Sequence, residues 1–274
     1  MTHSLLVLGS GQDGGAPQVG IRSEGRVERS ASSVAIFAEN GPVVLLDASP
    51  DIRGQYQRLA QHCGRAPRFD GIFITHGHMG HYAGLLHFGQ EAAATDRLPL
   101  FAPRSVITFL RSNEPWARLF ADHHLTAVPM DDSEAKMDDL TISAIPVPHR
   151  AEYTSTVAYS IAIAGRPWVL YLPDIDGWIE WPDAEAVIAA HPVSLLDATF
   201  SAVDELPGRD MASIKHPLVP DTVERFAHLT ADSTIILTHI NHSNRLGEGD
   251  AAITSIALDH GFTIAHDGLL IDHA

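Results

Sequence analysis

Three histidines that directly follow a β-forming stretch place the strongest constraint on this chain. His76, His78 and His81 come immediately after residues 72–75, which are rich in strand-forming side chains. Rings two residues apart on an extended backbone point to the same side. Neutral imidazole is a common ligand of zinc, and three converging rings can hold a divalent cation. The alternative is a solvated loop in a chain with 17 histidines. The spacing and the strand before it favour a metal site.

The composition limits the classes of function open to this chain. Its 274 residues, 45% hydrophobic and 19% charged, are typical of a soluble globular protein. The net charge of −16 argues against long nucleic acid as a partner, because phosphate binding needs clustered lysine and arginine. A bound metal could still attract a small anion. We therefore expect a small, anionic substrate.

The ends of the chain and its cysteine content bear on location. No apolar stretch reaches the length of a transmembrane helix, and residues 1–8 lack the basic start of a signal peptide. Cys63 is the only cysteine, which excludes an intrachain disulfide and fits a reducing cytoplasm. We expect a cytoplasmic protein that does not bind membranes. A homodimer is compatible with the sequence.

Several other predicted strands also end in a residue that can bind or orient a metal. Open α/β folds place their ligands beyond the strand ends, where the loops converge. We therefore expect these strand-end side chains to lie close to the three histidines. They are Asp47 after residues 43–46, His149 after 140–147, Asp174 after 168–172, Asp197 after 194–196, and His239 after 234–238.

The remaining pattern predicts alternating strands and helices. A glycine-rich turn, residues 9–15, follows the first strand; since no lysine follows it, we interpret it as a close backbone approach to the site. Ser49 as N-cap and Pro50 in the first turn predict a helix that ends at Gly64. Further strands are predicted over residues 5–8, 33–37 and 98–102, and further helices over 82–89, 104–111, 115–121 and 221–228.

The histidine stretch resembles the His-x-His-x-Asp-His signature of the metallo-β-lactamase fold, with Gly80 in the place of the aspartate. This resemblance implies one αββα domain over residues 1–274, with two packed sheets, helices outside and the site along one edge. Short motifs also resemble the PqqB family of PQQ biosynthesis proteins. They lie at residues 14–18, 47–53, 171–174, 196–200, 238–244 and 267–268.

Two departures separate the chain from that second resemblance. Residues 19–30 contain no cysteine, whereas the PqqB family has a cysteine cluster there. His76 and His78 are also both present, which makes the ligand set more similar to the PhnP and tRNase Z phosphodiesterases. The resemblance therefore implies hydrolysis of a small ester or phosphodiester by metal-activated water.

The resemblance also implies roles for individual residues. Asp47 would support the metal site by hydrogen bonding, and Asp197 and His242 would lie behind the ligands or in the substrate pocket. His216 resembles a histidine near the leaving group, where it would act in catalysis together with Asp174. One metal would be held by His76, His78 and His149, and a second by His81 and His239, with Asp174 as the bridge between them.

The expected cofactor is a divalent metal, with zinc first and manganese or iron as alternatives. Gly80 has no side chain, so the second site lacks one ligand. We expect that site to bind weakly, and Gly80→Asp to raise the metal content toward two ions per chain. In the alternative, His242 or Asp176 supplies the missing ligand.

Two other classes of function remain open on the sequence. One is a mononuclear iron oxygenase or hydroxylase of a cofactor-biosynthesis pathway, which would use the first site alone. The other is a non-catalytic metal-binding protein of such a pathway, which the glycine at position 80 suggests. Fold by itself does not separate these classes from a hydrolase.

Overall fold

Apolar strands account for most of the core. A computed structural model describes residues 2–23, 25–131, 133–211, 214–249 and 251–273. Within these residues the strands form two seven-stranded sheets. The first has the order β14-β1-β2-β3-β4-β5-β6 and consists of β1 (His3–Gly9), β2 (Ser33–Ala38), β3 (Val43–Leu46), β4 (Gly71–Phe73), β5 (Leu98–Ala102), β6 (Leu125–Pro129) and β14 (Leu270–Asp272).

The second sheet has the order β13-β12-β11-β10-β9-β8-β7. Its outer half is antiparallel, whereas β10, β11, β12 and β13 run parallel to one another. Its strands are β7 (Glu134–Met137), β8 (Leu140–Val147), β9 (Thr156–Ile163), β10 (Arg166–Leu172), β11 (Val193–Asp197), β12 (Thr234–Thr238) and β13 (Thr263–Ile264).

Side-chain alternation along the strands divides the core into layers. In β1, Leu5 and Val7 join the cluster shared by the two sheets, whereas Leu6 and Leu8 join the cluster beneath the outer helices. Successive side chains of a strand point to opposite faces, so a strand that is apolar at every position is buried on both sides. Tyr159 and Tyr171 are fully buried between the sheets.

Helices cover the outer face of each sheet. The first sheet is covered by α1 (Ile52–Cys63), α3 (Arg104–Arg111) and α4 (Trp116–Ala121). The second is covered by α5 (Ala184–Ala189), α6 (Val219–Phe226) and α7 (Ala252–Asp259). The predicted αββα sandwich is therefore confirmed. None of the described helices is long and apolar enough to cross a membrane.

Several helix boundaries differ from the prediction. The helix predicted over residues 82–89 is instead the last residue of α2 (Met79–Tyr82) and a 3₁₀ helix over Ala83–Phe88. The first α-helix starts at Ile52, after a turn over residues 50–51 in which the Ser49 carbonyl accepts from the Ile52 amide (3.1 Å). The Ser49 hydroxyl still accepts from the Asp51 amide (3.1 Å), as an N-cap would, and it donates to Gln55 Oε1 (2.8 Å). The helix ends at Gly64 in a left-handed conformation, as predicted. The helix predicted over residues 221–228 begins two residues earlier, at Val219, and the α-helix ends at Phe226.

Candidate metal centre

The predicted strand-end residues converge at one edge of the two sheets. Asp47 and His239, which follow β3 and β12, both have left-handed backbones, with φ angles of 60° and 59°. Such angles are uncommon for residues other than glycine and tend to occur at functional sites. Here each one turns the chain where a strand leaves the core, so that a buried polar side chain can face the site.

Four buried residues form a first cluster: His76, His78, His149 and Asp174. His78 Nδ1 lies 2.8 Å from His76 Nε2 and 3.4 Å from His149 Nε2. Asp174 Oδ1 lies 3.4 Å from His149 Nε2. One ligand atom from each of the four lies within 4.8 Å of the others. Zinc ligands at about 2.0–2.2 Å from the ion have similar mutual separations, so the cluster fits a divalent cation.

A second cluster lies on the other side of Asp174. Asp174 Oδ2 is 3.1 Å from His81 Nε2 and 3.2 Å from His239 Nε2. Asp13 Oδ1 lies 3.4 Å from the same atom of His81. These four atoms are buried and, within the described chain, none has a partner in hydrogen-bond geometry. Buried polar atoms without partners are costly, and a cation bound among these side chains would offset that cost.

Two buried carboxylates orient the second cluster from behind. Asp47 Oδ2 accepts a hydrogen bond from His81 Nδ1 (2.7 Å), which turns His81 Nε2 toward Asp174. On the opposite side, Asp197 Oδ1 accepts from the Thr199 hydroxyl (2.7 Å), and that hydroxyl lies 2.9 Å from His239 Nδ1. A group that forms a hydrogen bond with the ring nitrogen facing away from the metal (the far nitrogen) fixes the tautomer and the orientation of a metal-binding histidine.

The electrostatics favour ligand-ready protonation states at four of the ligands. His81 differs: burial lowers its pKa, but the Asp47 and Asp174 carboxylates outweigh burial and raise it well above the ordinary value. Burial lowers the pKa of His76 well below its ordinary value and that of His149 to about 4. Both rings are therefore neutral at neutral pH, with a lone pair for a metal. Burial opposes ionisation of Asp13, but His81 beside it lowers its pKa to about 2. The neighbouring imidazoles likewise hold the pKa of buried Asp174 well below its usual range.

His216 approaches the centre from the loop before α6. Its Nδ1 lies 2.7 Å from Asp197 Oδ2, and its buried Nε2 has no hydrogen-bond partner among the described residues. Burial lowers the pKa of His216, but the Asp197 carboxylate outweighs it and raises the value above the ordinary one. His216 is also grouped with Asp174, Asp197 and His239 by ligand-atom distance. Its assignment as a catalytic residue stays a prediction.

The second cluster has no open ligand position beside Gly80. Gly80 lies in the short helix α2 (Met79–Tyr82), and a Cβ built on it would meet Asp13, whose own Cβ is 3.1 Å away. The expectation of an open ligand position, which Gly80→Asp could fill, is therefore wrong. Asp13 was missed because it lies far away in sequence. The available signal was a carboxylate in the turn that follows β1.

Neither of the two proposed substitutes reaches the second cluster. Asp176 Oδ1 accepts from the Arg150 amide (2.9 Å) and lies 3.3 Å from His149 Nδ1, on the side of the first cluster. His242 pairs with the Gln18 side-chain amide at 2.7 Å. It lines a cleft of about 20 Å³, room for about one water molecule. Its role in a substrate pocket stays a prediction.

Comparison with known proteins places this geometry in a family. A profile of the beta-lactamase superfamily domain matches residues 43–240, which span most of the strand-end ligands. The chain belongs to this superfamily. Coenzyme PQQ synthesis protein B of Methylorubrum populi is 26% identical, over 98% of this chain and 99% of that protein. The similarity therefore extends along the whole sequence, including the turn that carries Asp13.

Solved structures of the superfamily share the fold. The 1.98 Å crystal structure of zinc-bound PqqB from Methylobacterium extorquens has a TM-score of 0.78 and 23% identity, and covers 98% of this chain and 100% of that chain. A diphosphatase from the PhnP family has a TM-score of 0.69 and 23% identity, with coverages of 100% and 98%. The predicted resemblances to the superfamily, PqqB and PhnP are confirmed. The superfamily thus includes hydrolases, and the His and Asp clusters support a divalent metal in this member.

Proposed function

We propose that this protein is a metal-dependent hydrolase that acts on a small anionic ester or phosphodiester. The observation that carries the proposal is the pair of His/Asp clusters on either side of Asp174. In the second, the buried atoms His81 Nε2, His239 Nε2, Asp13 Oδ1 and Asp174 Oδ2 have no hydrogen-bond partner among the described residues. A bound divalent metal, zinc in first place and manganese or iron as alternatives, would polarise the substrate and lower the pKa of water from 15.7 to about 7. The single cysteine supports a cytoplasmic location.

Different residues would hold the metals and orient the ligands. Asp174 lies between the two clusters and would hold both ions together. Asp47 and Thr199 hold the far nitrogens of His81 and His239, so that both rings stay turned toward Asp174. This arrangement is rigid before substrate arrives, which lowers the cost of reorganisation during the reaction.

His216 is the proposed general acid. Asp197 holds its Nδ1 and favours the protonated ring, which leaves Nε2 to donate a proton to a departing alkoxide.

We expect His216→Asn to lower kcat by about 100-fold or more, with little change in metal content. Elemental analysis and steady-state kinetics on one preparation test this. His228→Asn, at an exposed histidine on the 3₁₀ turn after α6, is the matched control. Loss of a metal in H216N would instead make His216 a ligand.

Charges and an aromatic ring near the site support the substrate class. Arg150 follows His149 directly, and Lys215 Nζ lies 3.4 Å from Asp176 Oδ2, so two cations lie beside the first cluster in an otherwise acidic protein. Together with the metals they favour one phosphate group. The exposed ring of Tyr153 lies 6.2 Å from the His78 ring, where it can pack against an apolar leaving group.

A direct comparison of substrates tests the proposed function. We expect the zinc- or manganese-loaded protein to hydrolyse bis(p-nitrophenyl) phosphate with a higher kcat/KM than a precursor tRNA, because the net charge of −16 repels a long polyanion. Metal-free protein serves as the blank. Faster cleavage of the tRNA would contradict the preference, and hydrolysis of neither, nor of p-nitrophenyl acetate, would contradict the hydrolase assignment.

A second candidate is a mononuclear iron oxygenase or hydroxylase in PQQ-type cofactor synthesis. It is favoured by the first cluster, which has three histidines and a carboxylate without help from the second, and by full-length similarity to a PQQ synthesis protein. A non-catalytic metal-binding role in the same pathway would use the same residues. Metal analysis of protein purified without added metal separates these candidates. Zinc or manganese favours hydrolysis, whereas about one iron per chain favours oxygen chemistry.

A further inference from the structure

The second cluster contains a carboxylate that the histidine stretch does not provide. We propose that Asp13 is a ligand of the second metal and takes the place of the aspartate that is glycine at position 80, which makes this site complete. The inference rests on the proposed metal-dependent function and assigns one further residue to that same centre. It replaces the expectation of a weak second site.

The position of the Asp13 carboxylate supports this role. Its Oδ1 is buried, lies 3.4 Å from His81 Nε2, and has no hydrogen-bond partner in the described chain. Ligand atoms of Asp13, His81 and His239 lie within 4.8 Å of one another. Asp174 Oδ2 faces the same two imidazoles. Imidazole nitrogens and carboxylate oxygens are both zinc ligands, so Asp13, His81 and His239 would hold one cation, with Asp174 beside it.

The glycine at position 80 and the aspartate at position 13 depend on each other sterically. A Cβ on Gly80 would overlap the Asp13 carboxylate and main chain. Gly80 lies in α2 and has no positive φ angle, so the helix itself does not require glycine there. The contact with Asp13 is therefore what makes glycine necessary. A carboxylate from the helix and one from the turn could not both occupy this space.

Hydrogen bonds of Gly11 and Gln12 hold the Asp13 turn beside the second cluster. The Gln12 amide donates to the Ile240 carbonyl at 3.0 Å, one residue after His239. The Asn241 side-chain amide donates to Gln12 Oε1 at 2.8 Å, and Gly11 pairs with Ser30 at 2.8 Å. The turn is thus joined to the loop that carries His239. Asp13 is placed by these contacts and not by its own carboxylate.

Metal titration of two variants tests the proposal. Asp13→Asn keeps the size of the side chain and removes its charge, and Gly80→Ala displaces Asp13 without adding a ligand. We expect wild type to bind two zinc ions per chain, and each variant to bind the second ion at least about tenfold more weakly while the first is unchanged. Calorimetric titration of metal-free protein measures both events without any substrate. Melting temperatures in chelator show whether each variant is folded.

Asp96→Asn is the matched control, because Asp96 is exposed in the loop before β5 and lies outside both clusters. It should titrate like wild type. Unchanged affinity for the second zinc in folded D13N would overturn the proposal, as would unchanged affinity in G80A. A wild-type protein that binds two ions in an Asp13-dependent way but hydrolyses nothing would support this ligand assignment and contradict the proposed hydrolase function.

Discussion

Asp174→Ala should remove both metals and lower any hydrolytic activity by at least about three orders of magnitude. Asp174 is the one carboxylate common to both clusters: Oδ1 faces His149, and Oδ2 faces His81 and His239. Its loss therefore leaves the first cation with imidazoles alone and the second with two imidazoles and Asp13. Elemental analysis after dialysis against a slight excess of zinc measures the effect, and kcat/KM on bis(p-nitrophenyl) phosphate measures its consequence.

Two further variants show whether the loss of both metals is specific to Asp174. His76→Ala, which removes a ligand of the first cluster only, should lose about one ion per chain and keep the second. Asp139→Ala removes a carboxylate that binds His3 Nε2 at 2.9 Å, at the opposite end of the first strand, and should keep both ions. If Asp174→Ala still bound two ions, Asp174 would not be the bridge. If Asp139→Ala lost them, the effect would be one of general stability.

Asp47→Asn should lower the free energy of unfolding of the metal-free protein by about 3 kcal/mol. Asp47 is completely buried, and its carboxylate accepts from His81 Nδ1, the Thr75 amide and the Tyr171 hydroxyl, at 2.7, 2.8 and 3.1 Å. The amide side chain would turn one N–H toward donors that then lack an acceptor. Asparagine tolerates the left-handed backbone at this position, so conformational strain contributes little.

Denaturant titration in chelator measures this loss of stability. Asp70→Asn is the matched control, because Asp70 is exposed and its carboxylate accepts one hydrogen bond from the described residues, donated by the Val43 amide at the opposite end of β3. It should cost about 1 kcal/mol or less. Asp47→Asn should also weaken metal binding by about 10- to 100-fold, because His81 loses the group that orients it. Equal effects of the two substitutions would contradict a supporting role for Asp47.

Elements with a clear local pattern were predicted almost residue by residue. The predicted strands 43–46, 98–102 and 140–147 and the helix 104–111 coincide with β3, β5, β8 and α3. Their apolar runs are short, end in polar or turn-forming residues, and face a core on one or both sides. The start of α1 was predicted two residues too early, because residues 50 and 51 form a turn in which the Ser49 carbonyl accepts from the Ile52 amide, and cap propensity does not distinguish this turn from the first turn of an α-helix.

Histidines outside the site show the same dependence on context. His124, directly before β6, is buried, and its Nδ1 lies 2.8 Å from the Thr95 carbonyl oxygen. His266, in the segment after β13, has an exposed side chain. A histidine side chain can be hydrated, form a hydrogen bond with a carbonyl oxygen or bind a metal. Its surroundings in the folded chain, and not its neighbours in sequence, decide which of these contacts it makes.

The sequence by itself determined the strands, the polar residues at their ends and the family, because these follow from alternation and from motifs of adjacent residues. It also showed that position 80 lacks a carboxylate. Only the tertiary structure decided what lies there instead. In the folded chain, the turn after β1 packs against helix α2. The space between them admits either a side chain at position 80 or the carboxylate of Asp13. A steric exclusion between distant segments leaves no periodic trace in a single sequence, which is why Asp13 became visible only once the chain was folded.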